Sequence, residues 1–100
     1  MYDASNLKKL SRFGDLAPAA WEGFLAFDKA AMADGAIPAK TKELIALAVA
    51  FTTQCPYCIE IHAKKARQAG CTDAEIAEAT LVAAALRAGA AVTHATHAIG

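Results

Sequence analysis

The three prolines of this chain constrain its fold more than any other feature. Pro18, Pro38 and Pro56 are the only ones in 100 residues, and each stands where a helix can begin. Proline has its φ fixed near the helical value and lacks an N–H, so it is tolerated in a helix's first turn and disruptive further in. Gly35 and Gly70 supply the opposite mark, each closing a segment of helix length. A second helix is therefore expected from Pro18 to about Asp34, a third from Pro38, and a fourth from Pro56 to Gly70. Before them, Ser5 is placed to cap a short helix carrying Leu7, Leu10 and Phe13, with Gly14 as its stop. After them, Thr72-Asp73-Ala74-Glu75 has the pattern of a capping box ahead of an apolar run, which predicts a fifth helix. Gly89 marks an interruption or a close approach within it, and the tail from Val92 to His97 is suited to extend it.

What fills these segments agrees with their punctuation. The chain has 27 Ala and only three Val, and Ala is the strongest helix former. No stretch alternates apolar and polar residues as a strand would. The expectation is an all-α compact bundle of five to six helices forming one domain over residues 1–100. Within it, Leu44 to Phe51 is apolar on every side, which predicts a buried third helix.

Several function classes are excluded at this level. Ten Lys+Arg offset ten Asp+Glu, so the chain lacks the basic excess on which nucleic-acid binding by counterion release depends. The longest uncharged apolar stretch, Leu44–Ile59, has 16 residues, is broken by Thr52, Thr53, Gln54 and Pro56, and is too short to span a bilayer. Met1–Leu10 has no apolar core of an export signal. Three cysteines, an odd number, fit a reducing compartment, so a cytoplasmic location is expected. Apolar residues make up 56% of the chain, more than so small a domain can bury alone. A homo-oligomer is expected, with Trp21, Phe24, Phe27 and the Ala-rich fifth helix as interface.

The chemistry is concentrated in Glu43–His62. Cys55-Pro56-Tyr57-Cys58 is a C-x-x-C, and His62 follows Cys58 by four residues. With Pro56 at the first helical position, Cys55 is the N-cap and Cys58 lies in the first turn, where unpaired amides and the helix dipole favour a thiolate. His62 shares the face of Cys58 and can carry a proton. A hairpin turning at Gln54 sets Ala46 opposite His62 and brings Glu43 within reach of it through a water.

Glu43, eleven intervening residues, Cys55-x-x-Cys58, three more residues and His62 together resemble the alkylhydroperoxidase D-like family, also called carboxymuconolactone decarboxylase-like. The resemblance spans Trp21 to Thr93 and is to the short one-domain members, including peroxidase-like proteins associated with arsenosugar biosynthesis. It implies an all-α fold, a trimer or hexamer, and cofactor-free reduction of hydroperoxides at the expense of an external dithiol. Cys58 then resembles the thiolate that attacks the peroxide, Cys55 its resolving partner, and Glu43 with His62 the proton relay. One departure is plain: the well-studied peroxidase members carry a second His between the cysteines, where this chain has Tyr57.

The same residues carry other readings. Cys-Pro-Tyr-Cys also resembles a glutaredoxin site, but that fold needs a sheet. Cys55, Cys58 and His62, with His94 or His97, make a set of zinc ligands, though a crowded one. Haem attachment is excluded because Ile59 follows Cys58. His62 alone reads as a core histidine, and Glu43 as a capping or ion-pairing residue. Tyr57 and Glu60 read as packing and surface residues or as lining the site, Cys71 as an incidental thiol, and His94 with His97 as a solvated tail or part of a neighbour's site. A lactone-decarboxylase activity, which needs no cysteine pair, and a redox-sensing module without turnover are the functional alternatives.

Overall fold

The computed structural model describes residues 1–100 and is helical throughout, with no strand. A 3-10 segment, Ala4–Arg12, runs directly into the single turn α1 (Phe13–Leu16). Four longer helices follow: α2 (Pro18–Met32), α3 (Ala39–Thr53), α4 (Pro56–Gln68) and α5 (Asp73–Ala95).

The N-terminal punctuation differs from its expectation. The cap is Asp3, whose Oδ1 accepts hydrogen bonds from the Ser5 amide at 2.9 Å and the Ser5 hydroxyl at 2.7 Å. These bonds hold the Asp3 carboxyl below the usual range. Gly14 is not a stop but lies inside α1, under the indole of Trp21, which a Cβ there would meet at 3.6 Å. The break comes at Ala17 (φ −146°, ψ 67°), because Pro18 drives the residue before it out of the helical region.

The other joints follow local rules. Asp34 Oδ1 accepts from the Ala39 amide at 2.7 Å and so caps α3, which the N-cap residue Pro38 has no side-chain group to do. At the other end of α3, Gln54 takes a left-handed conformation (φ 57°), and its amide returns to the Ala50 carbonyl. Cys55 is extended, Pro56 starts α4, and the α3–α4 hairpin is closed in two residues. Gly70 adopts φ +88°, a conformation that L side chains resist, and lets the Cys71 amide reach the Ala66 carbonyl at 2.9 Å. The capping box at α5 forms in full, with Glu75 N–H donating to Thr72 Oγ1 at 3.1 Å and Thr72 N–H to Glu75 Oε1 at 2.8 Å. A Lys40–Glu75 ion pair at 3.4 Å ties the starts of α3 and α5.

The core lies where α3, α4 and α5 meet. Leu47, Ala66 and Cys71 are buried there, with Leu44, Phe51, Ala63 and Ile76 packed around them. α3 is not buried on every side, as its sequence suggests. One face, Glu43, Leu47 and Ala50, is covered by the neighbouring helices, while Ile45 and Val49 remain 47% and 54% exposed. Nothing in this chain packs on that second face. α5 extends the same theme. Gly89 does not interrupt it, and from Ala84 onward every residue is exposed. At 1.5 Å per residue its 23 residues span about 34 Å. The projecting half raises the radius of gyration to 16.6 Å, against about 13 Å for a sphere-like chain of this length. α5 is long and apolar enough by length and composition to cross a membrane; its N-terminal half packs through Ile76 against the core.

Candidate active site

The α3–α4 hairpin assembles the chemical residues. His62 Nδ1 lies 2.7 Å from Glu43 Oε2, a direct hydrogen bond where the spacing argument allowed only a water-bridged one. Glu43 is the one buried charged residue, 9% exposed, and His62 is its partner. A buried carboxylate needs such a partner, because water no longer solvates it. With Nδ1 held, Nε2 is the ring nitrogen left for other chemistry.

Cys55 and Cys58 are joined in a disulfide, with Cα atoms 5.3 Å apart. Cys55 occupies the N-cap as the Pro56 signal implies, and its sulfur accepts a hydrogen bond from the Cys58 amide at 3.2 Å. This is the bond that Ser or Asp makes at the same position. The first-turn amide is therefore spent on Cys55, whereas the sequence argument assigned the benefit of the helix start to Cys58.

Cys58 instead faces a cavity of about 640 Å³, which it lines together with His62 and Tyr57. Trp21, Phe24, Leu25 and Ile61 line it with apolar side chains, and Asp28 and Lys65 are its charged members. Trp21 stacks between Phe13 and Phe24, at centroid distances of 5.2 and 5.4 Å, which makes one aromatic wall. The remaining wall is the N-terminal 3-10 segment, through Asn6, Leu7 and Leu10.

Asn6, Leu7 and Leu10 are not among the sequence candidates for this site, whereas Tyr57, one of two residues expected either to pack or to line it, does line it. Beyond lining the cavity, Tyr57 meets Asp3, Asn6 and Met1 from the N-terminal segment through its hydroxyl, partners that the sequence does not announce. Glu60, read as a surface residue, accepts a hydrogen bond from Tyr2 Oη at 2.9 Å, which raises the Tyr2 phenol above its usual range. Partners more than 50 positions apart leave no periodic trace; the only hint was a Tyr in the place of the resembled family's second His.

Other sequence candidates stand apart from the cavity. Cys71 is a buried free thiol, 3.5 Å from the Lys40 carbonyl. His94 and His97 meet edge to face at 5.7 Å, on the exposed end of α5. No group of three or more His, Cys, Asp and Glu side chains comes together in a way that would hold a metal ion, so His94 and His97 do not complete a set with Cys55, Cys58 and His62.

Residues 18–99 match the model of the carboxymuconolactone decarboxylase family. The chain belongs to that family. It is 55% identical over 78 residues to an uncharacterized protein in the cox locus of Paracoccus denitrificans, covering 78% of this chain and 70% of the relative. An uncharacterized protein of Cupriavidus necator is 32% identical over 92 residues, covering 92% of this chain and 81% of that one. Among solved structures, the apo form of a carboxymuconolactone decarboxylase family protein from Legionella pneumophila superposes with a TM-score of 0.77 at 34% identity, over 90% of this chain and 80% of its own. A protein from Methanobacterium thermoautotrophicum superposes with a TM-score of 0.81 at 36% identity, over 89% of this chain and all of its own. The family match begins at Pro18, so the N-terminal wall of the cavity lies outside it.

Proposed function

We propose that this protein is a thiol-dependent peroxidase of the disulfide-forming kind, reducing organic hydroperoxides through Cys58 and Cys55 with a Glu43–His62 proton relay. The observation that carries the reading is the shared wall: Cys58 and His62 line one apolar cavity, and His62 is held from behind by the buried Glu43.

In the reduced protein, Nε2 of His62 takes the Cys58 thiol proton, and Glu43 steadies the resulting imidazolium. The Cys58 thiolate attacks the terminal peroxide oxygen and the O–O bond breaks. Cys58 becomes a sulfenic acid, and the departing alkoxide takes the proton from His62 and leaves as an alcohol. The Cys55 thiol gives its proton to the now neutral His62; its thiolate, which the Cys58 amide stabilises, attacks the Cys58 sulfur, hydroxide leaves and takes that proton as water, and the disulfide forms. An external dithiol reduces that disulfide, so the sum is hydroperoxide plus dithiol giving alcohol, water and a disulfide.

A second reading has its own support. The Glu43–His62 pair is proton-transfer machinery that needs no thiol, and the family's name is that of a lactone decarboxylase. Hydroperoxide consumption by the reduced protein, assayed with several dithiol donors, separates the two. The peroxidase reading expects turnover that Cys58→Ser abolishes. Absence of peroxide reduction with every donor, together with lactone turnover that survives loss of both cysteines, would establish the second reading instead.

The exposed Ile45 and Val49 on α3, and Leu81, Val82, Leu86 and Val92 on α5, support a homo-oligomer, a trimer or hexamer, in which further copies cover these faces. A reducing, cytoplasmic setting suits a pair of cysteines that must cycle.

A further inference from the structure

We propose that Tyr57 is a specificity-determining anchor: its phenol fastens the N-terminal segment as a wall of the Cys58 cavity, and this wall selects bulky apolar substrates over small polar ones. The inference rests on the peroxidase reading for its substrates, but not for the wall itself.

The geometry is that of a hub. Tyr57 Oη accepts from the Asp3 amide at 3.2 Å and from Asn6 Nδ2 at 3.0 Å, and donates to the Met1 carbonyl at 3.3 Å. One donor and two acceptor sites are all that a phenol offers, so the group is fully occupied by structure. It is therefore not free to act as the proton donor that a His in this place would be. The Tyr2 ring packs on the Tyr57 ring at 4.9 Å, and the Tyr2 hydroxyl closes the network on Glu60. Apart from the backbone bonds by which the segment continues into α1, every hydrogen bond that ties it and its preceding residues to the rest of the chain ends on Tyr57 or Glu60. The segment has no fully buried residue of its own. Its C-terminal end is held by its continuation into α1, and its N-terminal end by this one clasp, while it presents Asn6, Leu7 and Leu10 to the cavity.

Two consequences follow. A small polar peroxide needs only the Cys58 sulfur and His62, whereas an apolar one gains from every apolar wall that it displaces water from. Moreover, Tyr57 is one residue from Cys58, so the residue that holds the wall is covalently adjacent to the one that reacts. The wall lies outside the family match, which places this chain's selectivity in a part that the family model does not describe.

The test compares the full chain with Tyr57→Phe, which keeps the ring and deletes the hub, and with Tyr2→Ala, which loosens the clasp from outside the cavity. Three measurements are made on reduced protein. Hydrogen exchange of residues 2–12 is expected to quicken about tenfold in Tyr57→Phe. Alkylation of Cys58 by N-phenylmaleimide, followed on its peptide by mass spectrometry, is expected to saturate in the wild type and to require about tenfold more reagent in Tyr57→Phe. The preference for cumene hydroperoxide over hydrogen peroxide, as a ratio of kcat/KM, is expected to fall about tenfold through KM, with Tyr2→Ala shifting in the same direction. Unchanged exchange in both variants would overturn the clasp. Faster exchange with unchanged alkylation and selectivity would reduce Tyr57 to a structural residue and overturn the proposal. If the wild type reduces neither peroxide, the peroxidase reading fails, and the alkylation data alone decide whether Tyr57 sets access to the cavity.

Discussion

In the proposed relay Glu43 acts through His62, and the distance between them sets how much its charge is worth. In Glu43→Gln the side chain keeps its shape and its amide oxygen still accepts from Nδ1, so His62 stays in place while the negative charge is lost. The two side chains are only 12% and 19% exposed, so solvent screening is weak. At an effective dielectric constant near 20, opposite charges about 4 Å apart attract by about 4 kcal/mol. The exchange of water contacts for protein contacts lowers the net worth of a charged hydrogen bond to about 1.5–3 kcal/mol. At about 1.36 kcal/mol per factor of ten, a relay that stabilises an imidazolium at the rate-determining step loses roughly 10- to 150-fold in rate. The assay is single-turnover oxidation of the reduced protein by cumene hydroperoxide, read as loss of free thiol, for wild type, Glu43→Gln, His62→Gln and the double variant. His62→Gln should fall by about 10²-fold, at the lower end for general acid–base catalysis. The double variant should be no slower than His62→Gln alone, since a group that works through another contributes nothing once the other is gone. Additive losses, or a Glu43→Gln rate equal to wild type, would refute the relay.

Three further outcomes are expected. Cys55→Ser should react with one equivalent of hydroperoxide, show a sulfenic acid on Cys58 by mass spectrometry, and not turn over with dithiol. Leu47→Ala, at a site only 1% exposed where α3 meets α4, should cost about 2–5 kcal/mol in chemical denaturation, since neighbouring helices cannot close fully on the lost volume. The pH dependence of stability should have a part belonging to Glu75, whose carboxyl the Thr72 amide and Lys40 hold below the usual range. A lowered folded-state pKa stabilises fully above the unfolded value and is lost as pH falls through the folded one. The Tm difference between wild type and Glu75→Gln should therefore be largest near neutrality and shrink in acid, and a gap that does not change with pH would contradict the assignment.

The parts of the structure that were legible in the sequence are those governed by neighbours within one or two helical turns. Pro56 at N1, Cys55 at the N-cap and the Thr72/Glu75 box are local bargains between a side chain and the nearest amides, and they form as their spacing implies. The nearness of Glu43 to His62 was legible too, though not their direct bond, because a two-residue turn at Gln54 and Cys55 fixes the register of the hairpin across it. What was not legible depends on surfaces that meet across the chain. Leu44 to Phe51 has apolar residues on all sides, yet sequence cannot say whether the second face is covered by this chain or by another copy. The wall built from Asn6, Leu7 and Leu10 reaches the site through Tyr57, 51 residues from Asn6, with no periodicity to announce it.

The cysteine pair shows how a local rule, followed one step further, distributes the chemistry. An N-cap side chain bends back over the first turn to accept an amide, and Cys55 does so as a serine would. That orientation takes the Cys55 sulfur to the backbone, while Cys58, one turn in, is aligned with His62 and the cavity. The two sulfurs are thus given different environments by the same helix start. An amide hydrogen bond stabilises thiolate on Cys55, which makes Cys55 the better leaving group when a dithiol opens the disulfide. Cys58 has no such bond; in the proposed reaction it relies on His62 to remove its proton, which ties its reactivity to the Glu43–His62 pair. The proposed division of labour, with Cys58 as attacking and Cys55 as resolving sulfur, therefore does not need Cys58 to hold the helix dipole; it needs Cys58 to share its cavity with the histidine.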